Sequence, residues 1–200
     1  MPLSALPKSL IDEARRLHTS PERGYHAWSH PEALLRLLSE VRGRLNDSVA
    51  VECAIILHDA IYDPRRSDNE LRSAALARKM LDGVVAAATL RRAVAWIEAT
   101  ERHLVPEDAL ADEAEDLRIF LDLDLSILGA SDEDFDRYEA GVRHEYRHVA
   151  DADFRAGRAM ILERFLGRDH LYMSEWGHQR FETKARENLA RSLKGLRNAR

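Results

Sequence analysis

Residues 51–62, Val-Glu-Cys-Ala-Ile-Ile-Leu-His-Asp-Ala-Ile-Tyr, constrain this chain more than any other stretch. At helical period Val51, Ala54, Ile55, His58, Ile61 and Tyr62 fall on one stripe, and such a stripe faces a core. His58 sits in its middle and Asp59 follows directly. An imidazole and a carboxylate at the end of an apolar helix need partners, because a buried charge without one is costly. Taken alone, the pair reads as a core histidine with a helix-end aspartate. The same run holds Cys53, the one cysteine of the chain. It reads as packed, and its solitude excludes an internal disulfide and a cysteine-rich zinc site.

Helical signals recur along the remaining sequence. Residues 4–18 form an amphipathic pattern with Leu10, Ile11, Ala14 and Leu17 on one face. After a turn at 19–24, Pro31 is tolerable only in a first turn, which starts the next helix near Trp28 to His30. Further helices are expected over 48–62, ended by Pro64, over 67–83, opened by a Ser67–Glu70 capping box, and near 88–103 and 112–128. Others follow over 131–150, 153–166 and 178–197, and residues 171–176 read as a loop with apolar anchors. No stretch alternates at period two, so the chain reads as all-α, a bundle of about eight or nine helices. Its 200 residues suit one domain, 1–200, with a charged C-terminal helical extension. Thirty basic against 35 acidic residues give a net charge of −5, with no basic excess for general nucleic-acid binding. The absence of a signal-like start or a long apolar run points away from a membrane and makes the cytoplasm the expected location. Oligomeric state leaves no mark in the sequence.

Four ionisable groups stand in unusual places. His30 lies in a first helical turn, His58 and Asp59 end an apolar helix, and Asp124 shares a stripe with Leu117, Phe120, Leu121 and Leu128. Asp122, by contrast, falls with Glu115 and Arg118 on the polar side and reads as solvated. Two imidazoles and two carboxylates suit a divalent transition metal such as Mn, Fe, Co, Ni or Zn.

These positions resemble the H…HD…D signature of the HD-domain superfamily of metal-dependent phosphohydrolases. Tyr25-His26 and His30 look like the Y-H-N-x-x-H segment of its cyclic-nucleotide phosphodiesterase branch, and Asp124-Leu125-Ser126 is similar to that branch's D-L-S. More specifically, the chain resembles a bacterial group of HD-type proteins predicted to be phosphohydrolases. That likeness rests on the blocks just quoted, on His58 to Asp63, on Asp68-Asn69-Glu70 with Ser73-Ala74, on Thr100 and His103, and on Leu121 to Gly129. It covers roughly residues 20–190. Ala27 stands where the family carries an asparagine, and Pro31 where it carries a small residue.

The resemblance implies an HD-domain helical bundle and a metal-dependent phosphohydrolase. His30, His58, Asp59 and Asp124 would be metal ligands, and His26 with Asp59 would serve catalysis, His26 by protonating the leaving oxygen. His103 and Glu70 fall where relatives add a second metal or contact phosphate, so two ions, Mg among the candidates, fit the pattern. The implied substrate is a small phosphate ester, with nucleotides among the candidates, attacked by a metal-activated water. Two alternatives stand beside this reading: an HD-type di-iron oxygenase, and a metal-stabilised nucleotide-binding module without turnover. Arg23, Arg65, Arg66, Arg143, Arg147 and Arg158 are candidate phosphate holders. Trp28, Trp96 and Trp176 read as packing residues, Asp63 as a turn residue.

Overall fold

Helix α3 (Ser48–Leu57) is buried on every side from Ala50 to Leu57. A helix apolar all round has to be wrapped by others, and it is. It packs against α1 (Lys8–Leu17), α2 (Ser29–Val41), α4 (Asn69–Leu81), α5 (Ala87–Ala99) and α6 (Ala111–Asp124). Three further helices follow: α7 (Asp132–Glu145), α8 (Asp151–Leu166) and α9 (Glu175–Asn198). This computed structural model describes residues 4–107 and 109–198, and among them the secondary structure is all-α, with nine α-helices and no strand. None of these helices is long and apolar enough to cross a membrane.

Two apolar clusters make the interior. One gathers α1 to α6 around Ile55, Leu57, Leu81, Ile97 and Phe120. The other joins the 3-10 turn Leu125–Gly129 to α7, α8 and the inner face of α9 through Leu128, Phe135, Leu162, Phe181 and Leu189. The expected 171–176 loop is shorter, because α9 begins at Glu175, but it is anchored as its sequence suggests, with Leu171 and Tyr172 both 1% exposed. The tyrosine hydroxyl donates to the Leu125 carbonyl at 2.9 Å.

Several elements end differently from their patterns. α3 stops at Leu57, not near Pro64, because buried Ser73 captures the backbone beyond it. The Ser73 hydroxyl accepts from Ile61 N–H at 3.0 Å and donates to the Ile61 carbonyl at 3.1 Å. Asn69 does the same for the next turn, accepting from Asp63 N–H and donating to its carbonyl. The expected capping box does not form. Asp68, not Ser67, stands at the N-cap, and its carboxylate is held by Arg66.

The expectation for Asp122 is corrected outright. Its carboxylate is 0% exposed and accepts from Met173 N–H, Ser174 N–H and the Ser174 hydroxyl at 2.6–2.8 Å. α6 is covered on both flanks, by α3 on one and by the loop before α9 on the other, so it has little of the polar side that its pattern suggests. A Cβ at Gly177 would collide with that carboxylate, which makes glycine the residue that fits there. Burial raises the Asp122 pKa to about 6 against these donors.

Candidate metal centre

Four elements deliver the centre. His30 rides in the first turn of α2, where Pro31 is harmless, and His58 and Asp59 follow the last turn of α3. Asp124 closes α6. His103 comes from four residues beyond α5, at φ +50°. The left-handed region is costly for a residue with a Cβ, and such strain collects where a side chain must be aimed.

The donor atoms meet. His30 Nε2 lies 3.1 Å from His58 Nε2 and 3.0 Å from Asp124 Oδ1. His58 Nε2 lies 3.3 Å from the same Asp124 oxygen and 3.0 Å from Asp59 Oδ2, and His30 Nε2 is 3.8 Å from that Asp59 oxygen. Ligands about 2.1 Å from an ion stand about 3.0 Å apart at right angles and about 3.4 Å apart across a tetrahedral edge. The 3.0–3.3 Å spacings among His30, His58 and Asp124 match such edges, whereas Asp59, 3.8 Å from His30, stands wider. His30, His58 and Asp124 all lie close enough to hold one metal ion. His103 Nε2 reaches the second Asp124 oxygen at 2.9 Å. Glu70 is not part of this cluster. It lines a surface depression with Ser67, Asp68, Leu71, Glu98 and Glu101, because α4 turns it outward.

The distal ring nitrogens are oriented as metal-ligating imidazoles usually are. His58 Nδ1–H donates to the Ile55 carbonyl at 3.0 Å, which leaves Nε2 for the centre. His30 Nδ1 meets the Tyr25 hydroxyl at 2.9 Å.

Without a cation these atoms would repel one another, and the acid–base balance reflects it. Burial opposes charge on His58, but Asp59 and Asp124 outweigh it and raise its pKa well above the usual imidazole range. Burial lowers the pKa of His30 despite its hydrogen bond to Asp124. Both carboxylates are held far below their ordinary range against the burial penalty, chiefly by His58. The pocket demands positive charge, and a proton on His58 is the stand-in for it. The donor set therefore fits a divalent ion.

Beside the centre stands a dyad that the sequence pattern did not single out. His26 Nδ1–H donates to Glu145 Oε2 at 2.8 Å. Glu145, at the end of α7, is 1% exposed, and its Oε1 accepts from Gly24, Tyr25 and His26 N–H at 2.8–2.9 Å. Tyr62 donates its hydroxyl to Oε2 and stacks on the His26 ring at 4.0 Å. Gly24 and Gly141 let the backbones touch. A Cβ on Gly24 would strike the Gly141 carbonyl, and one on Gly141 would lie 3.0 Å from Gly24 backbone. Burial works against charge on His26, yet Asp59 and Glu145 raise its pKa above the ordinary value. A signal for Glu145 existed: Phe135, Tyr138, Val142 and Glu145 fall on one stripe, the same test that picks out Asp124.

The candidate arginines are mostly committed elsewhere. Arg23 donates to the carbonyls of His26, Asp59 and Ala60. Arg66 pairs with Asp68, Arg143 with Asp151, Arg147 with Glu22 and Arg158 with Glu139. Arg65 is exposed. A different trio, Arg102, Arg164 and Arg168, lines a cleft of 180 Å³ together with His103, Glu101, Ile161 and Phe165.

No family model matches the chain, and neither do curated proteins or solved structures. The centre has to be interpreted from its own atoms.

Proposed function

We propose that the chain is a metal-dependent phosphohydrolase of the HD-domain type, acting on a small phosphate ester. The observation that carries this reading is the convergence of His30, His58 and Asp124 at 3.0–3.3 Å, with Asp59 3.0 Å from His58 on one flank and the His26–Glu145 dyad alongside. A divalent ion held there, from Mn, Fe, Co, Ni, Zn or Mg, would supply Lewis acidity and lower the pKa of a coordinated water.

The protein's own groups would divide the remaining work. The Asp59 carboxylate, 3.0 Å from His58 Nε2, would accept the proton of the attacking water. His26 is fixed through Nδ1 by Glu145, so Nε2 carries the transferable proton, and its raised pKa keeps that proton in place near neutrality. It would protonate the leaving oxygen. The centre is reached from solvent past partly exposed His26, Asp59, Asp124 and His103, while His30 and His58 form its buried floor.

The arginine-lined cleft favours a phosphorylated substrate. His103 touches Asp124 on one side and lines that cleft on the other. Burial and the nearby Arg164 charge lower the pKa of Arg168, so these cations crowd one another. Guanidinium groups match phosphate oxygens in geometry. A substrate with a second phosphate or a nucleotide phosphate would set that group here and the scissile ester at the centre.

The test is a panel of phosphorylated metabolites, nucleotides included, offered to metal-stripped protein with each of the six ions in turn. Metal-dependent phosphate release that disappears in His58→Ala is the expected result. Tight nucleotide binding without release would replace the enzyme by a binding module. Oxygen consumption by the iron-loaded protein, with no phosphate release, would replace it by an oxygenase.

A further inference from the structure

We infer that His170, His178 and Glu182 form a second transition-metal site, remote in sequence from the ligands of the first centre, that clips the loop before α9 to that helix. His178 and Glu182 are one turn apart on α9 and so share a face. His178 Nδ1 lies 3.4 Å from Glu182 Oε2, the spacing of a tetrahedral edge. His170 comes in from the loop, its ring centroid 4.9 Å from that of His178 and nearly perpendicular to it. One donor atom from each of the three residues lies within 4.8 Å of the others.

The carboxylate is already oriented. Glu182 is 8% exposed, and its oxygens accept from Leu171 N–H at 2.9 Å, Tyr172 N–H at 3.2 Å and Arg186 Nε–H at 2.7 Å. Hydrogen bonds of this kind fix the ligating carboxylates of metal sites. Arg186 Nε donates to Oε1, whereas His178 approaches Oε2, the oxygen that also accepts from Leu171 and Tyr172 N–H. Two imidazoles and one carboxylate select Zn²⁺, Ni²⁺, Co²⁺ or Cu²⁺ over Mg²⁺ or Ca²⁺. Both histidines are exposed, which leaves the outer coordination positions to water.

The position gives the site a task. The loop it would pin carries Met173 and Ser174, whose N–H groups hold Asp122, two residues before the ligand Asp124. An ion here would therefore buttress the end of α6 without taking part in chemistry.

The experiment is equilibrium dialysis of the metal-stripped full chain against Zn²⁺, with bound metal counted per chain. The unaltered protein, His58→Ala and the double variant His170→Ala/His178→Ala are compared, with circular dichroism confirming helix content. The double variant should bind one ion fewer than the unaltered protein, at unchanged helix content. Its Zn²⁺-dependent rise in Tm should shrink. His58→Ala should retain the ion at the α9 site, and adding the double substitution to it should remove that ion. Equal ion counts in the double variant and the unaltered chain would overturn the inference. Loss of one ion from His58→Ala reports the first centre, whereas loss of every bound ion from it would overturn this one.

Discussion

Replacing Glu145 by Gln tests the dyad without changing its shape. The substitution removes the charge that accepts the His26 Nδ1 proton and keeps one oxygen for the three backbone N–H groups on Oε1. A hydrogen bond to a charged group is worth about 1.5–3 kcal/mol, and at 1% exposure Glu145 has no solvent screening to reduce that figure. A loss of about 2.5 kcal/mol lowers Tm by about 5–10 °C in a chain of this size. The second effect concerns the proton. With Glu145 neutral, one of the three carboxylates that hold the His26 pKa up is gone, so that pKa falls, as read from the imidazole resonances by NMR titration. Turnover of an alkyl phosphate should fall by about 10²–10⁴-fold, the range for losing a general acid. An aryl phosphate, whose leaving group needs no proton, should suffer much less. Bound metal should not change, because Glu145 touches none of the ligands. An unshifted His26 titration together with equal losses on both esters would refute the assignment.

His26→Ala should reproduce the same alkyl-over-aryl selectivity with metal retained, whereas His30→Ala should lose both metal and all turnover. A metal assay on each variant checks this. Burial lowers the pKa of His18 from 6.5 to about 4, so the unfolded chain binds the extra proton first as pH falls. The stability due to neutral His18 is full above pH 6.5 and declines by roughly 3 kcal/mol between about pH 6.5 and 4. Urea melts across that window should be flatter for His18→Leu than for the unaltered chain. Arg164→Ser combined with Arg168→Ser should raise KM for a phosphorylated nucleotide about tenfold or more with kcat little changed. A simple aryl phosphate too small to reach the cleft should be unaffected.

The helical class and two residues of the candidate metal centre were legible because they rest on periodicity. His58 and Asp124 betrayed themselves as charges on apolar stripes, and both are in the centre. What periodicity handles poorly is context from distant segments. Asp122 looks solvated until the 171–176 loop brings two N–H groups and a hydroxyl to it. The end of α3 was misplaced because Ser73, on the next helix, intercepts the backbone before Pro64 is reached. His103 was read as helical, but its value to the site comes from leaving the helix. Glu145 obeyed the stripe rule and was passed over because α7 is so charged elsewhere. The arginines that line the cleft beside His103 were beyond sequence altogether. Arg66, Arg143, Arg147 and Arg158 turn out to be paired with acids, and pairing is a property of three-dimensional neighbours.

The backbone at His103 separates two demands that usually coincide. Glycine would occupy φ +50° more comfortably by about 1 kcal/mol, so folding alone would choose it. The imidazole is what the centre needs there, and it is held in a conformation its own backbone disfavours. At this position, then, ease of folding and fitness for chemistry are opposed. A library selected for thermal tolerance alone would drift toward glycine at 103, giving a sturdier chain in which Asp124 had lost its imidazole neighbour.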